Sequence, residues 1–386
     1  MPDSLDASAD RATVRVWARS LAGMQKEVLV RPAPDAPLWR LVSDEGPYLD
    51  GYDEGPFPLA HMTTGLVAAY TDELLTLARG RGIELLDLTV TLHSYYTMEG
   101  SALRGTMVGG ALPPVLEVEA ETTLDEDALA TLVADAVRAA PVNGLLRAPL
   151  ESLFTLTTNG AELSPDRVAR LADSVPTDPG ALFEKLEVAE VPSEPLVTML
   201  VPADKVEGDG GVSSSFAETQ SRTLHVWGEC RIREDGTKEI VQRLLNPKGS
   251  SFRFLSDELP ANGGKGLAPD AASYVAAGIA FCFMTQIGRY ARITHKDLAD
   301  YRLVQDLRIS RGSSADGANG HGSAEPVETH LFLETSEGED FARQVLDMSE
   351  QTCFLHALLR TPLEPQVRVV ARSTAANANS LAADPR

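Results

Sequence analysis

The sequence predicts an α+β chain built as two repeated modules, and three observations carry that prediction. First, segments recur at a constant offset of 213 residues. Trp39-Arg40-Leu41-Val42-Ser43-Asp44-Glu45 returns as Phe252-Arg253-Phe254-Leu255-Ser256-Asp257-Glu258, and Leu145-Leu146-Arg147-Ala148-Pro149-Leu150 as Leu358-Leu359-Arg360-Thr361-Pro362-Leu363. Second, the same register puts Gly65 on Gly278, Asp87 on Asp300, and Glu126-Asp127 on Glu339-Asp340. Third, each copy runs through strand-like stretches, a long apolar helix, more strands and a second helical stretch.

In the first copy, Thr13–Trp17 and Glu27–Arg31 read as strands, followed by a turn-rich segment over 44–58. An apolar helix is expected from about Leu59 to Arg79. Leu85–Tyr95 and Val115–Thr123 alternate apolar and polar residues, as half-buried strands do. Leu124–Ala139 reads as a helix whose acidic first turn suits its dipole. Pro141 breaks it, Val142–Arg147 continues it, and Leu153–Thr157 closes the copy as a strand. The second copy repeats this order. Leu224–Cys230 and Lys238–Leu244 are strands around a turn at Glu234-Asp235-Gly236. Pro269–Arg292 is the apolar helix, Asp300–Ser310 and Val327–Glu334 are strands, and Glu337–Leu359 is the second helical region. Residues 312–324, rich in Gly, Ser and Asn, read as a hairpin tip. This divides the chain into a module over 1–160, a connector over 161–221, a second module over 222–370 and a polar tail over 371–386. Within the connector, Ser164 and Asp166 suggest the start of a short helix ending near Ala172.

With 386 residues the chain is long enough for two full cores. Its net charge of -22 would repel phosphate backbones and anionic lipid, so the sequence predicts no nucleic-acid partner and no membrane partner. The N-terminus shows no basic or apolar targeting pattern. The longest unbroken apolar stretch, Tyr274–Met284, is shorter than the ~18 residues a span requires. A cytoplasmic setting is therefore expected, where the 3 cysteines read as reactive or buried thiols rather than a disulfide framework.

The two copies differ in those cysteines. Register places Ala69 opposite Cys282 and Ala140 opposite Cys353. Gly266-Leu267-Ala268-Pro269 leads into the helix that carries Ala276-Ala277-Gly278-Ile279-Ala280-Phe281-Cys282-Phe283, and Cys353-Phe354-Leu355 opens the later helical piece. Its counterpart is Ala140-Pro141-Val142. A lead-in Gly-x-x-Pro, a Cys in a small-residue apolar helix and a later Cys (or Cys-Pro-Val) resemble the OsmC/Ohr family, the osmotically inducible and organic-hydroperoxide-resistance proteins. The resemblance extends over both modules. It implies antiparallel sheets wrapped around central helices, with the two modules forming inside one chain the intertwined dimer that single-module members build from two. A further homodimer of such pseudo-dimers is compatible with it.

By the same resemblance the activity is reduction of an organic hydroperoxide, with Cys282 peroxidatic, Cys353 resolving and an external dithiol as reductant. No cofactor and no metal are expected, since no Cys-x-x-Cys or His-x-x-x-His spacing occurs. Apolar neighbours of Cys282 oppose its ionisation, so a cation is required nearby. The family uses a first-hairpin arginine held by a carboxylate; the matching positions offer Arg231 or Arg233 (with Arg253 on a later segment) and Asp270. Cys230, read on an edge-like strand, looks incidental. His356 is either a core or surface histidine, or a group that tunes Cys353 or binds a metal. Cysteine is among the most buried residue types, so Cys282 alone reads as core, and Cys353 at the matching position turns the reading towards chemistry. The alternatives left open are a non-catalytic protein of this fold that binds a small apolar ligand or a protein partner, and other thiol chemistry in the same pocket.

Overall fold

A computed structural model describes residues 11–186, 194–203, 219–312 and 320–373. The first half contains β1 (Arg11–Ser20), β2 (Lys26–Arg31), β3 (Trp39–Ser43), α1 (Pro58–Gly80), β4 (Leu86–Ser101), β5 (Val108–Thr122), α2 (Glu126–Ala139) and β6 (Ser152–Thr158). Short elements follow: β7 (Ala161–Leu163), β8 (Ala169–Arg170), α3 (Gly180–Glu184) and β9 (Val197–Val201). The second half contains β10 (Thr219–Ile232), β11 (Lys238–Asn246), β12 (Ser251–Ser256), α4 (Ala271–Thr294) and β13 (Asp300–Ser310). It ends with β14 (Ser323–Ala324), β15 (Val327–Glu334), α5 (Glu339–Thr352), α6 (Phe354–Arg360) and β16 (Gln366–Ser373). Element by element, the order of the first half recurs in the second.

The halves interleave. One sheet has the order β3-β2-β1-β13-β15-β6-β7, and the other β16-β5-β4-β10-β11-β12-β9. Three strands of one half thus pair antiparallel with two of the other, through β1–β13 in the first sheet and β10–β4 in the second. The last strand of each half then returns in parallel, β6 on β15 and β16 on β5. Neither half completes a sheet from its own strands.

Between the sheets lie α1 and α4, packed against each other. Gly65 and Gly278 mark their contact. A Cβ on Gly65 would lie 2.6 Å from the Ala271 carbonyl, and one on Gly278 would lie 2.8 Å from the Met62 nitrogen. The repeated glycine is therefore a close-approach residue for two helix backbones. By length and hydropathy α4 could cross a membrane, yet its most apolar window is 100% buried inside the protein. It is a core helix, and the shorter apolar run read from sequence underestimated it because Thr285, Gln286 and Arg289 interrupt the pattern.

Three local expectations are corrected. No helix forms at Ser164–Ala172, because the backbone N–H groups of Arg167 and Val168 donate to the Asp347 carboxylate on α5, and β8 follows as a short strand. β10 is an interior strand between β4 and β11, so Cys230 lies in the core rather than on an edge. The chain pairs as β16 as far as Ser373, past the expected module end at 370. The hairpin-tip residues 313–319 and the tail residues 374–386 lie outside the described residues.

Candidate active site

Cys282 sits in the middle of α4, on the face turned to the later helices. α5 ends at Thr352, and Cys353 adopts an extended conformation that joins it to α6. This kink points Cys353 at α4, and the two sulfurs lie 3.4 Å apart. Their exposures are 2% and 0%, so the pair is sealed from bulk water.

At that distance the sulfurs share a proton, and their surroundings differ. Burial raises the Cys282 thiol, and the adjacent Cys353 sulfur raises it further. Burial also opposes ionisation of Cys353, but the Cys282 thiol, the His356 imidazole and the His356 backbone N–H outweigh it and pull Cys353 well below the ordinary thiol range. The surroundings thus favour ionisation of Cys353 over that of Cys282. His356 is fully buried between the rings of Phe154 and Phe283, beside the Cys353 sulfur.

A polar row runs along α4 from Cys282 through Thr285 and Gln286 to Arg289, the i, i+3, i+4, i+7 positions of one face. It meets residues of the first half. Lys26 of β2, fully buried, donates to the Thr285 hydroxyl at 2.7 Å, and that hydroxyl donates to Glu45 at 2.7 Å. Tyr48 donates to the other Glu45 oxygen at 2.8 Å, and the Lys26 ammonium lies 4.0 Å from Glu45. Burial lowers Lys26, against the pull of Glu45, Asp44 and Cys282. Burial raises Glu45, against Lys26, Thr285 and Tyr48. Arg289 donates to the Met107 sulfur at 3.3 Å and to Gln286 at 3.2 Å; burial and the nearby Arg222 bring it down to about 9.

Of the residues expected from sequence, only the two thiols come together here. Arg231 projects outward from β10 and pairs with Glu229 at 2.9 Å. Arg233 pairs with Glu194 at 2.9 Å, a carboxylate that Arg253 also holds. Asp270 caps α4 by accepting from the Ser273 backbone N–H at 2.8 Å. Twelve residues separate Asp270 from Cys282 along one helix, about 18 Å at 1.5 Å per residue. The charged residues that meet the α4 row are instead Lys26 and Glu45, because interleaving brings the hairpin of one half over the helix of the other.

A surface cleft of about 480 Å³ lies between the β4–β5 hairpin tip and the end of α5, lined in part by Thr106, Val108, Arg167 and Glu350. Gln351 closes its inner side, donating to the Gly105 and Met107 carbonyls at 3.1 and 2.7 Å. Met107 links the cleft to the polar row, its carbonyl accepting from Gln351 and its sulfur from Arg289 at 3.3 Å.

Residues 263–368 match the model of the family described as OsmC-like protein. The chain carries an OsmC-like domain. The OsmC-like match takes in α4, α5, α6 and both site thiols, whereas Lys26 and Glu45 lie outside it. The crystal structure of an OsmC-like hydroperoxide resistance protein from Jannaschia sp. CCS1 is similar at 16% identity, with a TM-score of 0.21 over 34% of this chain and 83% of that one. No curated protein is matched.

Proposed function

We propose that the protein is a thiol-dependent peroxidase that reduces organic hydroperoxides at one site, with Cys282 and Cys353 as its redox pair. The observation that carries this reading is the 3.4 Å separation of the two sulfurs, joined by a shared proton. The Cys353 thiolate takes the proton of Cys282 as the peroxide arrives, with Lys26 as the facing cation. The Cys282 thiolate attacks the O–O bond, forming a sulfenic acid and releasing an alkoxide that is protonated by Cys353. The regenerated Cys353 thiolate then displaces hydroxide from the sulfenic sulfur, a disulfide closes, and the hydroxide takes a proton from solvent and leaves as water. The peroxide gains two electrons and the thiol pair loses two. An external dithiol in a cytoplasmic setting restores the pair by exchange. The cleft beside Met107 supports an entry for an alkyl chain.

Stoichiometric alkyl hydroperoxide is expected to convert both thiols to a Cys282–Cys353 disulfide seen by mass spectrometry, and to leave a Cys282 sulfenate in Cys353→Ser. A free-thiol count unchanged by oxidant overturns the reading. The full burial of both sulfurs favours one rival, a non-catalytic protein of this fold that binds a ligand or partner; unchanged thiols are its signature.

A further inference from the structure

The outer face of the second sheet holds a feature that the thiol chemistry does not use. His93 of β4 and His225 of β10 are 132 positions apart in sequence, yet His93 Nδ1 and His225 Nε2 lie 2.9 Å apart. They are diagonal neighbours on two paired strands, since His93 stands opposite Trp227 and Tyr95 opposite His225. Both are half-buried, open to solvent on one side. A register shift flanks each of them, between His93 and Tyr95 on the β5 side and between His225 and Val226 on the β11 side. Such bulges re-aim side chains and often border sites. Pro113 and Pro114 occupy the first bulge, where neither neighbouring ladder needs their missing N–H.

The surroundings orient both rings. Tyr95 stacks on His225 with centroids 4.5 Å apart. The Glu117 carboxylate lies 3.8 Å from His93 Nε2 and is held by Arg368 at 3.0 Å. A carboxylate behind Nε2 favours the tautomer protonated there, which leaves the Nδ1 lone pair to accept from His225 Nε2–H; metal binding replaces that hydrogen bond, with His225 carrying its proton on Nδ1 instead. Burial disfavours the charged form of both rings. It lowers His93, with Arg368 adding to it and Glu117 opposing, and it lowers His225 together with His93. The neutral ring is the ligating form.

We propose that His93 and His225 form a two-imidazole site for a divalent transition metal of the zinc, nickel and copper class. Two nitrogens each about 2.0–2.1 Å from one metal lie about 2.9 Å apart at the right-angle bite that nickel and copper favour, and about 3.3 Å apart at the tetrahedral angle of zinc, which a small ring rotation reaches. Among the described residues no group of three or more His, Cys, Asp or Glu surrounds a common position. The protein thus supplies two ligands, solvent fills the rest, and Glu117 orients His93. His93 belongs to the first half and His225 to the second, on the strand pair that joins them. A metal held by both clamps β4 to β10 and stabilises the folded state by mass action.

The test titrates tag-free protein at pH 7.5 with nickel or zinc chloride, by calorimetry and by thermal unfolding. One equivalent is expected to bind saturably and to raise Tm by about 2–5 °C. His93→Gln and His225→Gln, both substitutions on the sheet surface, should each abolish binding and the shift. Glu117→Gln should weaken binding about tenfold. The double variant Cys282→Ser/Cys353→Ser should retain the wild-type isotherm, which separates this site from the thiols. Absence of saturable binding overturns the proposal, as does binding that survives either histidine substitution.

Discussion

The two halves of the molecule present the same buried lysine–glutamate pair, once beside the Cys282–Cys353 pair and once beside the single thiol of Cys230. In the thiol site Lys26 lies 4.0 Å from Glu45; in the other half Lys238 lies 4.0 Å from Glu258. Lys26 stands opposite Ser43 in its ladder, and Lys238 stands opposite Ser256, so strand register makes the lysines equivalent. What differs is the third group. Thr285 accepts a hydrogen bond from Lys26 at 2.7 Å, whereas Asp72 accepts one from Lys238 at 2.6 Å. Lys26 is lowered by burial, with too little counter-charge to offset it. Lys238 is also lowered by burial, but Asp72 and Glu258 outweigh that effect and raise it. The lysine–glutamate pair therefore belongs to the architecture, and only the pair that meets Cys282 leaves its cation under-compensated. A buried cation short of negative charge is suited to favour a thiolate.

Removing either lysine tests that contrast with the largest effect. Lys26→Met and Lys238→Met each strip a cation from a buried carboxylate, and each should cost roughly 3–5 kcal/mol in denaturant unfolding. Only Lys26→Met should also slow peroxide-driven disulfide formation, measured at a denaturant-free concentration where both variants are folded. Equal kinetic losses in the two variants would break the comparison.

The Lys238 site should show its surplus of carboxylates as a pH dependence. Asp270 is pushed up to about 7 by burial and by Glu258, with the Ser273 hydrogen bonds and Lys238 pulling the other way. The unfolded value is near 3.9. A folded pKa above the unfolded one means the native state binds the extra proton, so this stability is full below about pH 4 and is lost as pH rises to about 7. Asp270→Asn keeps a capping side chain and removes the titration. It should flatten that part of the stability profile by a few kcal/mol, read from urea midpoints between pH 4 and 7.5. A profile parallel to wild type would place the titration elsewhere.

Much of the architecture was legible in the sequence because helix and strand periods are local. The 213-residue offset located both central helices, their close-approach glycines Gly65 and Gly278, and the empty thiol positions at Ala69 and Ala140. The activating groups were not legible in the same way. Lys26 plus the offset falls on Glu239, because β11 sits one residue out of that register, so the Lys26–Lys238 equivalence appears only in the strand pairing. The expected Arg231, Arg233 and Asp270 came from reading each half as a self-contained unit. Interleaving instead delivers the first half's hairpin to the second half's helix, and Glu45 arrives from a loop 237 positions before Cys282. His93 and His225 escaped notice for the same reason, since cross-strand neighbours leave no spacing signal.

The smallest effect concerns the second thiol and its own counterpart. Cys353 and His356 correspond to Ala140 and Asn143, so the imidazole marks the same half as the sulfur. His356 helps hold charge on Cys353 through its ring and through its backbone N–H, and only the ring is removable. His356→Asn copies the thiol-free half at that position and keeps the backbone donor. The thiolate absorbance near 240 nm should then appear at higher pH, by about one unit, equivalent to about 1.4 kcal/mol. Less thiolate at neutral pH means less base to accept the Cys282 proton, so disulfide formation at pH 7 should fall about tenfold and recover as pH rises. Asn143→His, made in the half without thiols, should leave both readouts where they are. If it shifts the absorbance as well, the imidazole acts through the fold rather than on the sulfur beside it.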